Sequence, residues 1–207
     1  MLPASRLIFF LATLTVAASV CPPNFQGDIV FLVDSDGATD QDKYHCFYDF
    51  IIELLENFHL GKNLTRVGLV SQDTLPMIKV PLTGDKDVIL QQIRNIEYRH
   101  NKVDAIMCMH TALTLFNSAE PRDKKVKSVV VLETDGTGKR RDTMIQKAKT
   151  LKDRDIQVYT FGIKPRVDRD ELLGVASKPQ YYLEAESYDD YAEFAQDLSD
   201  LICDERP

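Results

Sequence analysis

Three short and almost unbroken apolar runs limit the fold more than any other feature of the sequence: Asp28–Val33 (DIVFLV), Val126–Leu132 (VKSVVVL) and Ile156–Gly162 (IQVYTFG). A strand with one wet face alternates apolar and polar residues. These runs do not, so each reads as a strand buried on both faces. Such strands need a helical layer above and below the sheet, and parallel strands joined by helical crossovers supply both. From about Gln41 to Phe58, Phe47, Phe50, Ile51, Leu54, Leu55 and Phe58 recur at intervals of three and four, an amphipathic helix that stops near Gly61. Arg66–Ser71 and Leu75–Val80 are strands separated by only three polar residues, a spacing that permits only a hairpin. Pro76 places the second at a sheet edge, since a central strand would need the missing N–H. Asp85–Ile93, Asp104–Phe116, Asp142–Leu151, Asp168–Ala176 and Tyr188–Ile202 read as helices, Asn95–Val103 as a loop and Gln180–Leu183 as the last strand. The fold class expected is α/β: a doubly wound, mostly parallel six-stranded sheet with one antiparallel edge strand and helices on both faces.

The first twenty residues have the pattern of an export signal. Arg6 is the only charge before Asp28, the apolar run Leu7–Val16 follows it, and Ala17, Ala18 and Ser19 offer small residues for cleavage. A helix of ten residues covers about 15 Å, half of a bilayer core, so the run is too short for an anchor. Residues 1–20 are therefore expected to be a signal peptide and 21–207 a single secreted domain without membrane insertion. The chain carries 25 Lys and Arg against 32 Asp and Glu, a net charge of −7 that becomes −8 when Arg6 leaves with the signal. An acidic chain lacks the field that draws in nucleic acid or anionic membranes, so neither is an expected partner. An even number of cysteines, Cys21, Cys46, Cys108 and Cys203, fits an oxidising compartment and allows three pairings. A bridge from Cys21 to Cys203 would tie the two ends of the domain and leave Cys46 and Cys108 either bridged to each other or as buried thiols. No close cysteine pair begins a zinc site.

In doubly wound sheets, ligands bind beyond the carboxyl ends of the strands, where strand order reverses. Asp34 and Asp36 follow the first apolar run and Asp135 follows VKSVVVL. Carboxylates brought together there repel unless a hard cation, Mg²⁺ or Ca²⁺, neutralises them. Alternatively they are ordinary turn and cap residues, since Asp is a common N-cap and Asp-Gly a common turn.

The order of these pieces resembles a von Willebrand factor type A domain: DIVFLVDSDGA, then RVGLVS, VKSVVVLETDG, IQVYTFGI and ELLGVAS, spanning about Asp28 to Cys203. The resemblance implies a protein-binding function with collagens or other extracellular matrix and cell-surface proteins as partners. It implies as well a metal-ion-dependent adhesion site, in which a partner's carboxylate completes the shell of a Mg²⁺ ion. Terminal cysteines are frequent in extracellular members, which supports Cys21 to Cys203. The adhesion motif carries over only in part. Its Asp-x-Ser-x-Ser loop corresponds to Asp34, Asp36 and Ala38, so one serine has become aspartate and the other is lost. Its threonine falls on Met109, shortly before Ala112-Leu113, and its last aspartate is Asp135. Met is a poor ligand for a hard cation, and the extra charge of Asp36 favours Ca²⁺ if any ion binds. The resemblance thus implies a degenerate metal site. A Cys46–Cys108 bridge would staple the two altered loops.

An enzyme is the alternative outside this family. A strand ending in Asp-x-Asp-Gly also begins haloacid-dehalogenase-like phosphohydrolases, with Asp34 as nucleophile, Asp36 as acid/base and Asp135 holding Mg²⁺. That pattern wants Thr or Val at Ala38, a Ser or Thr closing the second parallel strand and a Lys ahead of the last acidic motif, and the early hairpin does not suit it. His45, His59, His100 and His110 show no metalloprotease spacing. Tyr181, Tyr182, Tyr188 and Tyr191 read as cover for the last strand and helix. Lys124, Lys125 and Lys127, and Lys139, Arg140 and Arg141, are basic runs to be read as solvated faces or as a glycosaminoglycan contact. Asn63-Leu64-Thr65 is an N-glycosylation sequon in a turn. Taken together, the expectation is a secreted, non-enzymatic matrix-binding module. The alternative within binding is a structural matrix component that self-associates.

Overall fold

All seven residues of β1 (Gly27–Val33) are buried, and the rest of the molecule is arranged around them. The computed structural model describes residues 21–33, 41–72, 76–97, 105–134, 140–164, 167–187 and 190–204. β1 lies between β2 (Thr65–Gln72) and β4 (Lys127–Glu133), both parallel to it and in register from Gly27 to Val33. Outside them come β3 (Pro76–Thr83), the one antiparallel strand, and on the other side β5 (Ile156–Ile163) and β6 (Tyr182–Ala185). The sheet order is therefore β3-β2-β1-β4-β5-β6. Pro76 and Pro81 both fall in β3, an edge strand, where the missing N–H groups break no interior ladder.

Side chains of β1 alternate between two apolar layers. Ile29, Phe31 and Val33 enter one with α1 (Gln41–Leu55), α2 (Lys86–Arg94) and α6 (Tyr191–Asp204). Val30 and Leu32 enter the other with α3 (Ala105–Ser118), α4 (Arg141–Lys152) and α5 (Arg169–Val175). In the first layer, Phe47 and Phe50 of α1 pack on Phe161 of β5 and Tyr191 of α6, with ring centroids 5.2 to 6.4 Å apart. In the second, α3 approaches β2 closely: a Cβ on Gly68 would stand 2.7 Å from Leu115. The expected architecture is the one observed, with local shifts at element ends; the last strand begins at Tyr182, two residues later than expected, because Pro179–Tyr181 form a 3-10 turn. Asp85 and Asp168 are N-caps, their carboxylates accepting from Asp87 and Val88 and from Glu171, so their helices begin one residue later. After Leu55 the chain tightens to three-residue turns, Glu56 N to Glu53 O through Phe58 N to Leu55 O, which ends α1 yet keeps Phe58 buried.

Cys21 and Cys203 are bridged with Cα atoms 5.5 Å apart across 182 residues. In the chain-entropy account, closing so long a loop stabilises by about 5 kcal/mol. The second expected bridge is not formed. Cys46 on α1 packs against the first layer while Cys108 on α3 is buried in the second, so the sheet itself stands between them.

The amino-terminal edge of the sheet holds a buried ionic cluster. Register pairs Asp28 of β1 with Arg66 of β2, whose guanidinium donates to both carboxylate oxygens at 2.8 and 2.7 Å and to the Glu120 carbonyl at 3.2 Å. Arg122 adds a bond to Asp28 at 3.0 Å, and all three side chains are almost wholly buried. Asp28→Ala leaves two buried guanidinium groups without their carboxylate, so urea unfolding is expected to show a loss of about 3–5 kcal/mol. A loss under about 1 kcal/mol, the range of an exposed pair, would contradict that reading. Thiol titration of the non-reduced, denatured chain should count two reactive thiols, whereas a Cys46–Cys108 bridge would give none.

Candidate functional site

From β1 the chain builds outward through β2 to β3, then crosses back to β4 and builds the other way through β5 to β6. Strand order therefore reverses between β1 and β4, and the crevice beyond their carboxyl ends is where a fold of this kind binds ligands. The last residues of the two strands, Val33 and Glu133, are register partners, and Val33 also pairs Ser71. Asp34, Asp36 and Ala38, which follow β1, and Asp135, which follows Thr134, lie outside the described residues. So do His100, Lys139 and Tyr188. The structure thus places the strand ends from which the three predicted carboxylates depart on adjacent strands.

The described rim of this crevice is well anchored. The Tyr48 hydroxyl of α1 and the Ser71 hydroxyl of β2 share a buried hydrogen bond of 2.8 Å, which joins the helix to the strand end beside Val33. Thr134 is buried and its N–H donates to the Phe161 carbonyl at 3.2 Å, holding the end of β4 against β5. Met109, at the position of the family's threonine, is fully buried in the α3 layer. A thioether packed in an apolar layer offers nothing to a hard cation. Among the described residues, no group of three or more His, Cys, Asp or Glu side chains could hold a metal ion.

Farther along the same edge, charges are paired. Arg141, at the start of α4, donates to both oxygens of Asp168, the cap of α5, at 2.7 and 2.5 Å. That hydrogen bond holds the Asp168 carboxyl below its ordinary range and raises Arg141. Lys164 reaches Glu186 at 2.6 Å and Glu184 at 3.1 Å, and Glu184 also accepts from the Tyr182 hydroxyl. The Tyr182 bond, then Lys164, lower Glu184, while burial chiefly raises Tyr182. The second basic run is thus partly neutralised through Arg141.

The remaining sequence candidates separate by place. Tyr181 is buried and stacks on Tyr159 at 4.0 Å, and Tyr191 is buried among the core aromatics, so both serve packing. His59 and His110 are exposed, with His110 beside Lys147 at 3.4 Å. Asn63 is exposed in the turn before β2. Sequence reasoning missed the Asp28–Arg66–Arg122 cluster and the Tyr48–Ser71 bond. The first left a signal: an acid and a base near the starts of two otherwise largely apolar strands.

The sequence profile of the von Willebrand factor type A domain matches residues 28–198. Mouse matrilin-4 is 27% identical over a match that covers 97% of this chain and 34% of matrilin-4. The mouse collagen alpha-1(XX) chain is 28% identical over 77% of this chain and 12% of its own length. The chain thus spans about a third of the one and an eighth of the other. Among solved structures, proximal thread matrix protein 1 from the mussel byssus superposes with a TM-score of 0.77 at 20% identity, over 89% of this chain and 48% of that one. The same protein with a zinc-occupied adhesion motif gives 0.73 at 20% identity. At that identity the likeness is one of fold.

A carboxyl depressed by its partner keeps its stabilising contribution above the unfolded pKa and loses it as pH falls through the folded one. Carboxyl-carbon NMR should therefore place the Asp168 titration below that of an ordinary aspartate, and Arg141→Ala should move it back up. An unmoved midpoint in Arg141→Ala would remove the stated cause.

Proposed function

The chain belongs to the von Willebrand factor type A family, and from that premise we propose that it is a secreted, non-enzymatic module of the extracellular matrix. It grips a partner protein at the carboxyl edge of its sheet. The reversal of strand order between β1 and β4 carries this reading, because doubly wound folds bind ligands at such a reversal and Asp34, Asp36 and Asp135 follow these two strands in the sequence. Collagen-like or other matrix proteins are the proposed partners, supported by relatives named as collagens and matrilins. Residues 1–20 are proposed to be removed on export, leaving 21–207 as the domain, and exposed Asn63 to carry an N-linked glycan. No helix among the described residues is long and apolar enough to cross a membrane.

The residues present do not fit the family's cation site. Ala38 has no donor and Met109 is a buried thioether, so two of the hydroxyl positions are lost and a third is the acid Asp36. Recognition is therefore proposed to run through the shape and charge of the edge without a completing Mg²⁺ or Ca²⁺. Self-association has one observation behind it: β3 is an edge strand with Met77 and Ile78 exposed at 50% and 38%. Concentration-dependent sedimentation of the chain alone, abolished by Met77→Lys, is the expected result for that second mode.

The purified chain is expected to bind immobilised collagen saturably, and to keep that binding in chelator. Asp135→Arg should weaken it by about tenfold or more, a cost of at least about 1.4 kcal/mol. Absence of saturable binding to collagen or to other matrix proteins would reject the function. Loss of binding in chelator would instead restore a metal-dependent adhesion site.

A further inference from the structure

We propose that the opposite, amino-terminal edge of the sheet carries a second binding surface, a lysine-lined groove that takes a sulfated polysaccharide. The groove has a volume of about 830 Å³ and opens beside Cys203, between the segment preceding β1, the starts of β4 and β5, and the end of α4. Among the described residues, four lysines line it, Lys124, Lys125, Lys127 and Lys152, against a single carboxylate, Asp155. The fold assembles this charge. Lys127 N bonds the Gln26 carbonyl at 3.2 Å, and the pairing of Ser128 with Ile156 sets the start of β4 beside the start of β5. Lys152 then arrives from the end of α4.

Two of the lysines are fixed and two face solvent. Lys127 donates to the Ile202 carbonyl at 2.7 Å, and Lys152 to the carbonyls of Gly174 and Ala176 at 3.0 and 2.8 Å. Lys152 has only these two acceptors among the described residues, so one of its three N–H donors remains. Burial pulls its pKa down, a cost that an incoming anion would relieve. Lys124 and Lys125 are exposed, and no ion pair engages either ammonium among the described residues. This contrasts with the basic run on the other edge, where Arg141 is bound to Asp168.

The chemistry of the walls selects the class of anion. An ammonium group is a compact point charge suited to a sulfate. The side-chain amides of Asn24, Gln26 and Gln157 in the same groove suit the hydroxyls between sulfates. An acidic peptide adding as a strand finds no free ladder here, because β1, β4 and β5 are interior strands. The net charge of −7 repels any polyanion beyond the groove, so contact is confined to a few sulfates and is steeply dependent on salt. The groove lies at the other end of the strands from the proposed protein-binding crevice, so the two readings stand or fall separately.

The test is retention of the purified chain on immobilised heparin across a sodium chloride gradient. The parent chain is expected to bind at low salt. The double variant Lys124→Ala/Lys125→Ala should lose about tenfold or more in affinity with an unchanged thermal midpoint. Lys86→Ala, whose ammonium is held by Glu56 outside the groove lining, and Asp135→Ala should elute as the parent does. No retention at low salt, or a double variant that elutes with the parent, would overturn the proposal. So would loss of retention in Asp135→Ala. Displacement by polyglutamate at the same charge concentration as by soluble heparin would overturn it in favour of an acidic peptide.

Discussion

Burial of β1 on both faces is the constraint from which the other features descend. A strand with no polar face needs apolar helices above and below, and here α1 and α6 cover one side while α3 and α4 cover the other. With β2 and β4 both parallel to it, the chain must return along a helix between β1 and β2 and between β4 and β5, whereas β2 turns back directly into the antiparallel β3. All strand-to-helix turns of the parallel strands therefore gather at one edge and all helix-to-strand turns at the other. The position of a binding crevice is thus a consequence of packing.

The two edges are built differently. At the amino-terminal edge, a disulfide joins Cys21 to Cys203 and Asp28 gathers two arginines in a buried cluster. Both devices act on residues far apart in sequence, so opening this edge costs contacts across the whole domain. At the carboxyl edge, the described restraints are short hydrogen bonds at strand ends and exposed ion pairs, Tyr48 with Ser71, Thr134 with Phe161 and Arg141 with Asp168. Exposed ion pairs contribute little to stability. The base is thus tied across long sequence distances, and the described rim by local bonds at strand ends.

Much of this was legible in the residues alone. Unbroken apolar runs announced interior strands, and Pro76 announced the edge. The three- and four-residue spacing from Phe47 to Phe58 marked the buried stripe of α1, although the helix ends at Leu55 because its last turn tightens. Cys21 with Cys203 was one of three pairings open in the residues and the one supported by the family resemblance, and it is formed. What failed to read was convergence across elements. Periodicity does not say which side of the sheet a helix occupies, and so Cys46 and Cys108 looked like partners when the sheet divides them. Likewise Lys152 lies 25 positions after Lys127 and joins it only because α4 ends beside the start of β5. The three acidic residues of the candidate site could be read as a constellation because each follows a strand, and the strand ends beside them are indeed neighbours.

On the proposed reading, a partner protein is held at the carboxyl ends of β1 and β4 while the stapled edge stays out of that contact. Hydrogen–deuterium exchange of the chain with and without saturating collagen, in the presence of chelator, tests it most directly. Slowed exchange is expected to centre on the peptides that follow Val33 and Glu133, with the segments around Cys21, Asp28 and Arg66 unchanged. Protection confined to those latter segments, or to the α6 surface, would contradict it.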